Sequence, residues 1–198
     1  KCEKTLDKIE FNESSLNKMI DDVLKSIKIL HENYYIHGDI KAQNIMLCGD
    51  TYKLIDWGRL HSIKNFEKDY KYGGSLQAGS PLGFYLMFRK VSAHILSQKM
   101  SAKLALALFE GKIPFFKSKS PLFSYKEFEP VWGNIKEHFL SLFDNELKDE
   151  ELFKEYKYTL DLYNFGLTLY YMIYKNKIEN PKFLKLAVEL TTKKTILS

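Results

Sequence analysis

Ile36-His37-Gly38-Asp39-Ile40-Lys41-Ala42-Gln43-Asn44, continued by Ile45-Met46-Leu47-Cys48-Gly49-Asp50-Thr51-Tyr52-Lys53-Leu54-Ile55-Asp56-Trp57-Gly58, is the stretch on which the reading of this chain turns. Its two short apolar runs, Asn44 to Leu47 and Tyr52 to Ile55, are separated by Cys48-Gly49-Asp50-Thr51, which predicts a small hairpin with a Gly-Asp turn. The hairpin decides where the polar residues fall. Asp39 and Asn44 are five residues apart, with Lys41 between them on a tight loop, and Asp56 follows the second strand, so that the turn can fold it back beside Asn44. A carboxylate that can take a proton, a cation, and two oxygen donors for a hard metal ion would then share one place.

Upstream, Asn12 or Ser14 can cap a helix, Glu13 suits its positive end, and Leu16, Met19 or Ile20, Val23, Ile27 and Leu30 recur at helical spacing. This predicts a helix from Ser14 to Glu32 that leads into the loop. The dozen residues before it are polar and predict no element. Downstream, residues 59 to 83 are rich in Gly, Ser and Pro and read as a long loop. Helical patterns follow over Val91 to Phe109, Trp132 to Phe143 and the acidic stretch Asp144 to Glu155. Leu160 to Tyr174 is apolar on almost every face and predicts a central buried helix, and Lys182 to Thr191 predicts a last amphipathic one.

Here the residues acquire a family likeness. His37-Gly38-Asp39-Ile40-Lys41-Ala42-Gln43-Asn44 resembles the catalytic loop of protein kinases, and Asp56-Trp57-Gly58 resembles their Asp-Phe-Gly metal-binding motif. Asp161-Leu162-Tyr163-Asn164-Phe165-Gly166 resembles the start of the central helix of the kinase C-lobe. Residue by residue, the resemblance implies Asp39 as catalytic base, Lys41 as phosphate-contacting cation, and Asn44 and Asp56 as Mg2+ ligands that help bind ATP. It implies that His37, Trp57, Gly58 and Asp161 support the site, Asp161 by accepting hydrogen bonds from the catalytic-loop backbone and His37 by stacking with Trp57. The implied activity is transfer of the ATP γ-phosphoryl to a protein Ser or Thr hydroxyl.

The expected fold class is therefore α+β and predominantly α, a kinase-like C-lobe with one or two small β-hairpins. Its parts are expected at 12–58 (helix, loop and metal motif), 59–90 (activation segment), 91–158 (an insertion) and 159–198 (central and C-terminal helices). No glycine-rich loop or strand-borne Lys precedes Ser14, so the N-lobe is expected to be absent from this chain. Two other readings stand beside the Ser/Thr kinase. The His-Gly-Asp and Ile-Asp-Trp triplets also resemble aminoglycoside and choline phosphotransferases, which seldom carry a Lys where Lys41 stands. A scaffold without phosphoryl transfer would use segment 91–158, with Phe115, Phe116, Phe123, Phe128 and Trp132, as its partner-facing surface.

The departures from the family pattern also inform. Gly38 stands where an arginine usually precedes the catalytic Asp, which argues against switching through a phosphorylated loop. Gly79-Ser80-Pro81-Leu82-Gly83-Phe84-Tyr85 resembles the substrate-facing end of the activation segment, but Leu86-Met87-Phe88-Arg89 stands where Ala-Pro-Glu should follow.

Composition narrows the partners. Lys and Arg total 30 against 25 acidic residues, the charges are scattered, and only Arg59 and Arg89 are arginines, so no direct nucleic-acid contact is expected. The longest apolar stretch contains Asp161 and is shorter than a bilayer span, so no membrane contact is expected either. The partners expected are ATP, a protein substrate and a protein docked on 91–158. Cys2 and Cys48 show no metal or redox spacing, which points to reduced thiols in an intracellular, cytoplasmic protein. The excess of Lys, Asn, Tyr and Ile fits an AT-rich genome such as that of a parasite or a large DNA virus.

Overall fold

In the computed structural model, residues 2–63, 133, 137 and 158–192 are described. The chain divides into two compact units, one of Lys1–Gly74 with Glu155–Ser198 and one of Ser75–Lys154. Of the second unit only Gly133 and Glu137 are described, both helical and exposed. The helices expected over Val91 to Phe109 and Asp144 to Glu155, the rest of Trp132 to Phe143, and the activation segment beyond Ile63 lie outside the described residues.

The first unit is mixed α/β. Helix α1, Glu13–Glu32, begins where Asn12 and Ser15 cap each other: Ser15 N donates to Asn12 Oδ1 at 2.9 Å and Asn12 N donates to Ser15 Oγ at 3.1 Å. Such reciprocal capping satisfies amide groups that the first helical turn leaves without partners. The apolar stripe buries Leu16, Met19, Ile20, Val23 and Ile27 as its spacing predicts, but the stripe ends on His31 and not on Leu30. His31 is four residues after Ile27 and so continues the buried face, whereas Leu30 turns half outward.

The hairpin forms from β3, Ile45–Cys48, and β4, Thr51–Leu54, with Ile45 opposite Leu54 and Cys48 opposite Thr51. Gly49 adopts a φ of +61° at the first position of the two-residue turn, where such hairpins favour glycine. Asp22 of α1 accepts the Tyr52 amide at 3.0 Å, which pins the helix to β4. A second pair, β2 (Tyr35–Ile36) with β5 (His61–Ser62), sets Ile36 opposite His61.

Two expectations about the N-terminal segment are corrected. Residues before Asn12 do form structure: β1, Cys2–Thr5, runs antiparallel to β3, and Leu6 and Phe11 are buried. A four-residue polar strand owes its existence to a partner more than forty residues away, which no local pattern announces. The same pairing sets Cys2 opposite Cys48, and the two form a disulfide. The expectation of reduced thiols is thereby corrected, because sequence spacing says nothing about residues that a sheet brings face to face. Cysteine usage no longer argues for a reducing compartment.

Helix α2, Thr159–Lys175, is the central element, with thirteen of its seventeen residues buried. Helix α3, Pro181–Thr192, starts with proline in the first helical position, whose missing N–H would have had no partner there, and Asn180 Oδ1 accepts the Lys182 amide. The two helices approach closely at Gly166, where a Cβ would lie 2.8 Å from the Ala187 carbonyl oxygen. Among the described residues no helix is long and apolar enough to cross a membrane.

Burial in α2 has a pH consequence. Tyr163 is fully buried, its hydroxyl has no hydrogen-bond partner among the described residues, and burial pushes its phenol far above the ordinary tyrosine value. The fold favours the neutral phenol, so this contribution to stability is complete below about pH 10 and is lost as pH rises towards the folded-state pKa. Tyr163→Phe is expected to flatten the alkaline fall in stability by up to about 1.4 kcal/mol per pH unit, measured by urea midpoints between pH 8 and 11. Equal slopes for the two proteins would contradict it.

Candidate active site

Asp161, in the first turn of α2, organises the loop. One of its carboxyl oxygens accepts the His37 amide at 2.8 Å and the other accepts the Gly38 amide at 2.9 Å. His31 Nε2 lies 3.3 Å from the oxygen that also receives His37 N. His31, His37 and Asp161 are each fully buried, and a carboxyl in such a place is tolerable when amide hydrogens and the positive end of its own helix surround it. Tyr158 closes this cluster: its hydroxyl donates to the His31 carbonyl at 3.1 Å, and burial, followed by the neighbouring Tyr34, raises its pKa above the ordinary value. His31 is a site-supporting residue that sequence reasoning missed. Its position on the apolar stripe of α1 was the available signal.

With its backbone held in this way, the loop turns Asp39 towards Lys41 and Asn44. Lys41 Nζ donates to Asp39 Oδ2 at 2.8 Å, and Asn44 Nδ2 donates to the same oxygen at 3.0 Å and to the Asp39 carbonyl at 2.8 Å. The short 3-10 turn Ala42–Asn44 makes this reach possible, since the Asn44 amide bonds back to the Lys41 carbonyl at 2.9 Å. Asp39 is nearly buried while Lys41 is half exposed. Arg59 Nη1 stands 4.0 Å from the other Asp39 oxygen, a cation that the sequence reading did not single out.

The hairpin returns Asp56 to the loop. Ile55 N donates to the Asn44 carbonyl at 2.9 Å, which sets Asp56 one residue beyond Asn44's own backbone contact. Asp56 adopts φ +62° and ψ +73°, a left-handed conformation that costs a non-glycine residue about 1–2 kcal/mol. Its side chain is exposed, and among the described residues its Oδ1 takes a long 3.4 Å contact from Gly58 N. The His37 and Trp57 rings meet at 4.9 Å, with His37 Nε2 3.1 Å from the Ile55 carbonyl oxygen, but Trp57 is 47% exposed. All eight residues singled out in the sequence are thus described, and His37, Asp39, Lys41 and Asn44 join Asp161 through direct or backbone contacts.

Gly38 has φ +76°, and a Cβ there would lie 2.6 Å from the Arg59 carbonyl oxygen. No side chain fits at this position without shifting that backbone.

The donor set can be tested against Mg2+. Among the described residues no three His, Cys, Asp or Glu side chains gather as a metal cluster. Asn44 and Asp56 offer two hard oxygens: the Asn44 amide donates through Nδ2 and so leaves Oδ1 as its acceptor, and the Asp56 carboxylate is exposed. A metal that takes one or two protein oxygens and fills its shell with phosphate and water fits this arrangement.

Asp39 is thus a carboxylate with Lys41 on one oxygen and Arg59 facing the other. Residues 2–79 match the family model described as "Protein kinase domain". Through this segment the chain is related to the protein kinase family. It is 42% identical over 55 residues to "Probable serine/threonine-protein kinase mkcB" of Dictyostelium discoideum, covering 27% of this chain and 8% of that protein. It is 31% identical over 62 residues to "Serine/threonine-protein kinase 17A" of Oryctolagus cuniculus, covering 29% of this chain and 16% of that protein. It is 37% identical over 68 residues to "Dual specificity protein kinase zakA" of Dictyostelium discoideum, covering 33% and 9%. The aligned part is thus no more than about a sixth of any of these relatives. No solved structure matches the chain.

Proposed function

We propose that this chain is the C-lobe portion of a Ser/Thr protein kinase, which transfers the γ-phosphoryl of ATP to a protein hydroxyl with Mg2+. The observation that supports it most is the setting of Asp39, whose Oδ2 is held by Lys41 and Asn44 while the loop backbone hangs from buried Asp161. A carboxylate fixed in this way can orient a substrate hydroxyl and accept its proton as the hydroxyl oxygen bonds to the γ-phosphorus and the bond to the bridging oxygen of ADP breaks. Asn44 and Asp56 would hold Mg2+, which when bound neutralises phosphate charge. Lys41 is half exposed and can leave Asp39 for a phosphate oxygen, since an ammonium on a flexible stem follows charge readily. Lys41 also favours protein substrates over the small-molecule phosphotransferases that the His-Gly-Asp triplet resembles.

The full-length protein, given ATP and Mg2+, is expected to label Ser and Thr of a generic protein substrate and to leave amino alcohols and sugars unlabelled. Chelating the metal should abolish the labelling. Phosphate found only on a small molecule, or labelling that survives chelation, would overturn this reading.

A further inference from the structure

Arg59 belongs to none of the motifs that identify the site, yet the fold fixes it beside the base. The 3-10 turn Trp57–Arg59 starts from Asp56 in its left-handed conformation. Directly after the turn, β5 pairs His61 with Ile36, the last residue before His37 and the catalytic loop. On the other side the Arg59 backbone is pressed against Gly38: a Cβ at Gly38 would lie 2.6 Å from the Arg59 carbonyl oxygen and 3.6 Å from the Arg59 Cβ. The arginine side chain therefore starts from a fixed point next to the residue that precedes Asp39, and its Nη1 ends 4.0 Å from Asp39 Oδ1.

The two Asp39 oxygens differ in what surrounds them. Oδ2 is held by Lys41 at 2.8 Å and Asn44 at 3.0 Å, and Oδ1 faces Arg59. When Lys41 turns to a phosphate, Oδ2 loses that cation and keeps the Asn44 amide, while Arg59 still faces Oδ1. We propose that Arg59 is a positioning residue for phosphoryl transfer, holding the Asp39 carboxylate in its reactive orientation once Lys41 has left it. A guanidinium suits this task better than an ammonium, because it is permanently charged and its planar fork is pre-organised for a carboxylate. The inference rests on the phosphotransferase reading of the site, but the contact itself can be measured without catalysis.

Two measurements test it. In the full chain, whose arginines are Arg59 and Arg89, nitrogen-labelled guanidinium signals can be assigned with Arg59→Lys. Lys41→Ala is expected to slow rotation of the Arg59 guanidinium severalfold, and Asp39→Asn in that background should restore fast rotation. Equal rotation rates in the two variants would overturn the proposal whether or not the protein is a kinase. In the full-length protein, Arg59→Ala should lower kcat about tenfold with KM for ATP within twofold and the melting temperature unchanged, and Arg59→Lys should recover most of the loss. A raised KM for ATP at unchanged kcat would overturn it by making Arg59 a nucleotide contact. An inactive wild type would instead overturn the kinase reading, with the rotation measurement still deciding the contact.

Discussion

Asp39→Asn is expected to lower phosphoryl transfer by the full-length protein about 10²- to 10⁴-fold, the range that a positioned general base contributes. Asn has the same shape and keeps an oxygen to accept from Lys41 and Asn44, but its amide cannot take the proton of a substrate hydroxyl. The loop should hardly feel the change, because its backbone is fixed through His37 and Gly38 to Asp161 and not through the Asp39 side chain. The substitution also removes the charge that pairs with Lys41 and Arg59, but both cations are half exposed, and ion pairs of that kind are worth little to stability. Steady-state rates and a thermal melt of the same preparation check both halves of the expectation. Wild-type activity in Asp39→Asn would remove Asp39 from the chemistry, and a collapsed melt would make it a structural residue.

Asp161→Ala should do the opposite and act on the fold first. The substitution leaves the His37 and Gly38 amides without their Asp161 acceptor in a fully buried place and removes the polar partner of His31 Nε2. Breaking such a buried network costs about 3–5 kcal/mol, against roughly 1 kcal/mol for an average substitution. Denaturant midpoints would register the loss, and hydrogen exchange at the His37 and Gly38 amides would locate it. Asp161→Asn retains one good acceptor and should fall between the alanine variant and wild type. A shift below about 1 kcal/mol for Asp161→Ala, no more than an average substitution, would mean that the loop holds its shape without this anchor.

Much of this site was legible in the sequence because its residues are close in the chain. The order of Asp39, Lys41, Asn44, hairpin and Asp56 is local: a two-residue turn fixes the hairpin register, and the register returns Asp56 to Asn44. Helix α1 was equally readable, since Asn12, Glu13 and a stripe at helical spacing are all the information a capped amphipathic helix needs. Asp161 lies 122 residues beyond Asp39, and only its likeness to a family pattern linked the two. The residues overlooked have long-range partners. His31, Arg59 and Asp22 meet their partners on α2, on the loop that carries Asp39 and on β4.

By itself the sequence determined the chemistry that Asp39, Lys41, Asn44 and Asp56 can offer, because side-chain type and short spacing set which atoms a tight loop and hairpin can bring together. Tertiary structure alone decided how that chemistry is held. It set Asp161 under the loop, made Cys2 and Cys48 opposite members of a strand pair, and pressed the Arg59 backbone onto Gly38. Each of these depends on segments that meet only when β1 pairs with β3, β2 pairs with β5, and α2 is buried against α1. The free energy of such meetings comes from burial and pairing summed over whole elements, which no single stretch of the chain contains.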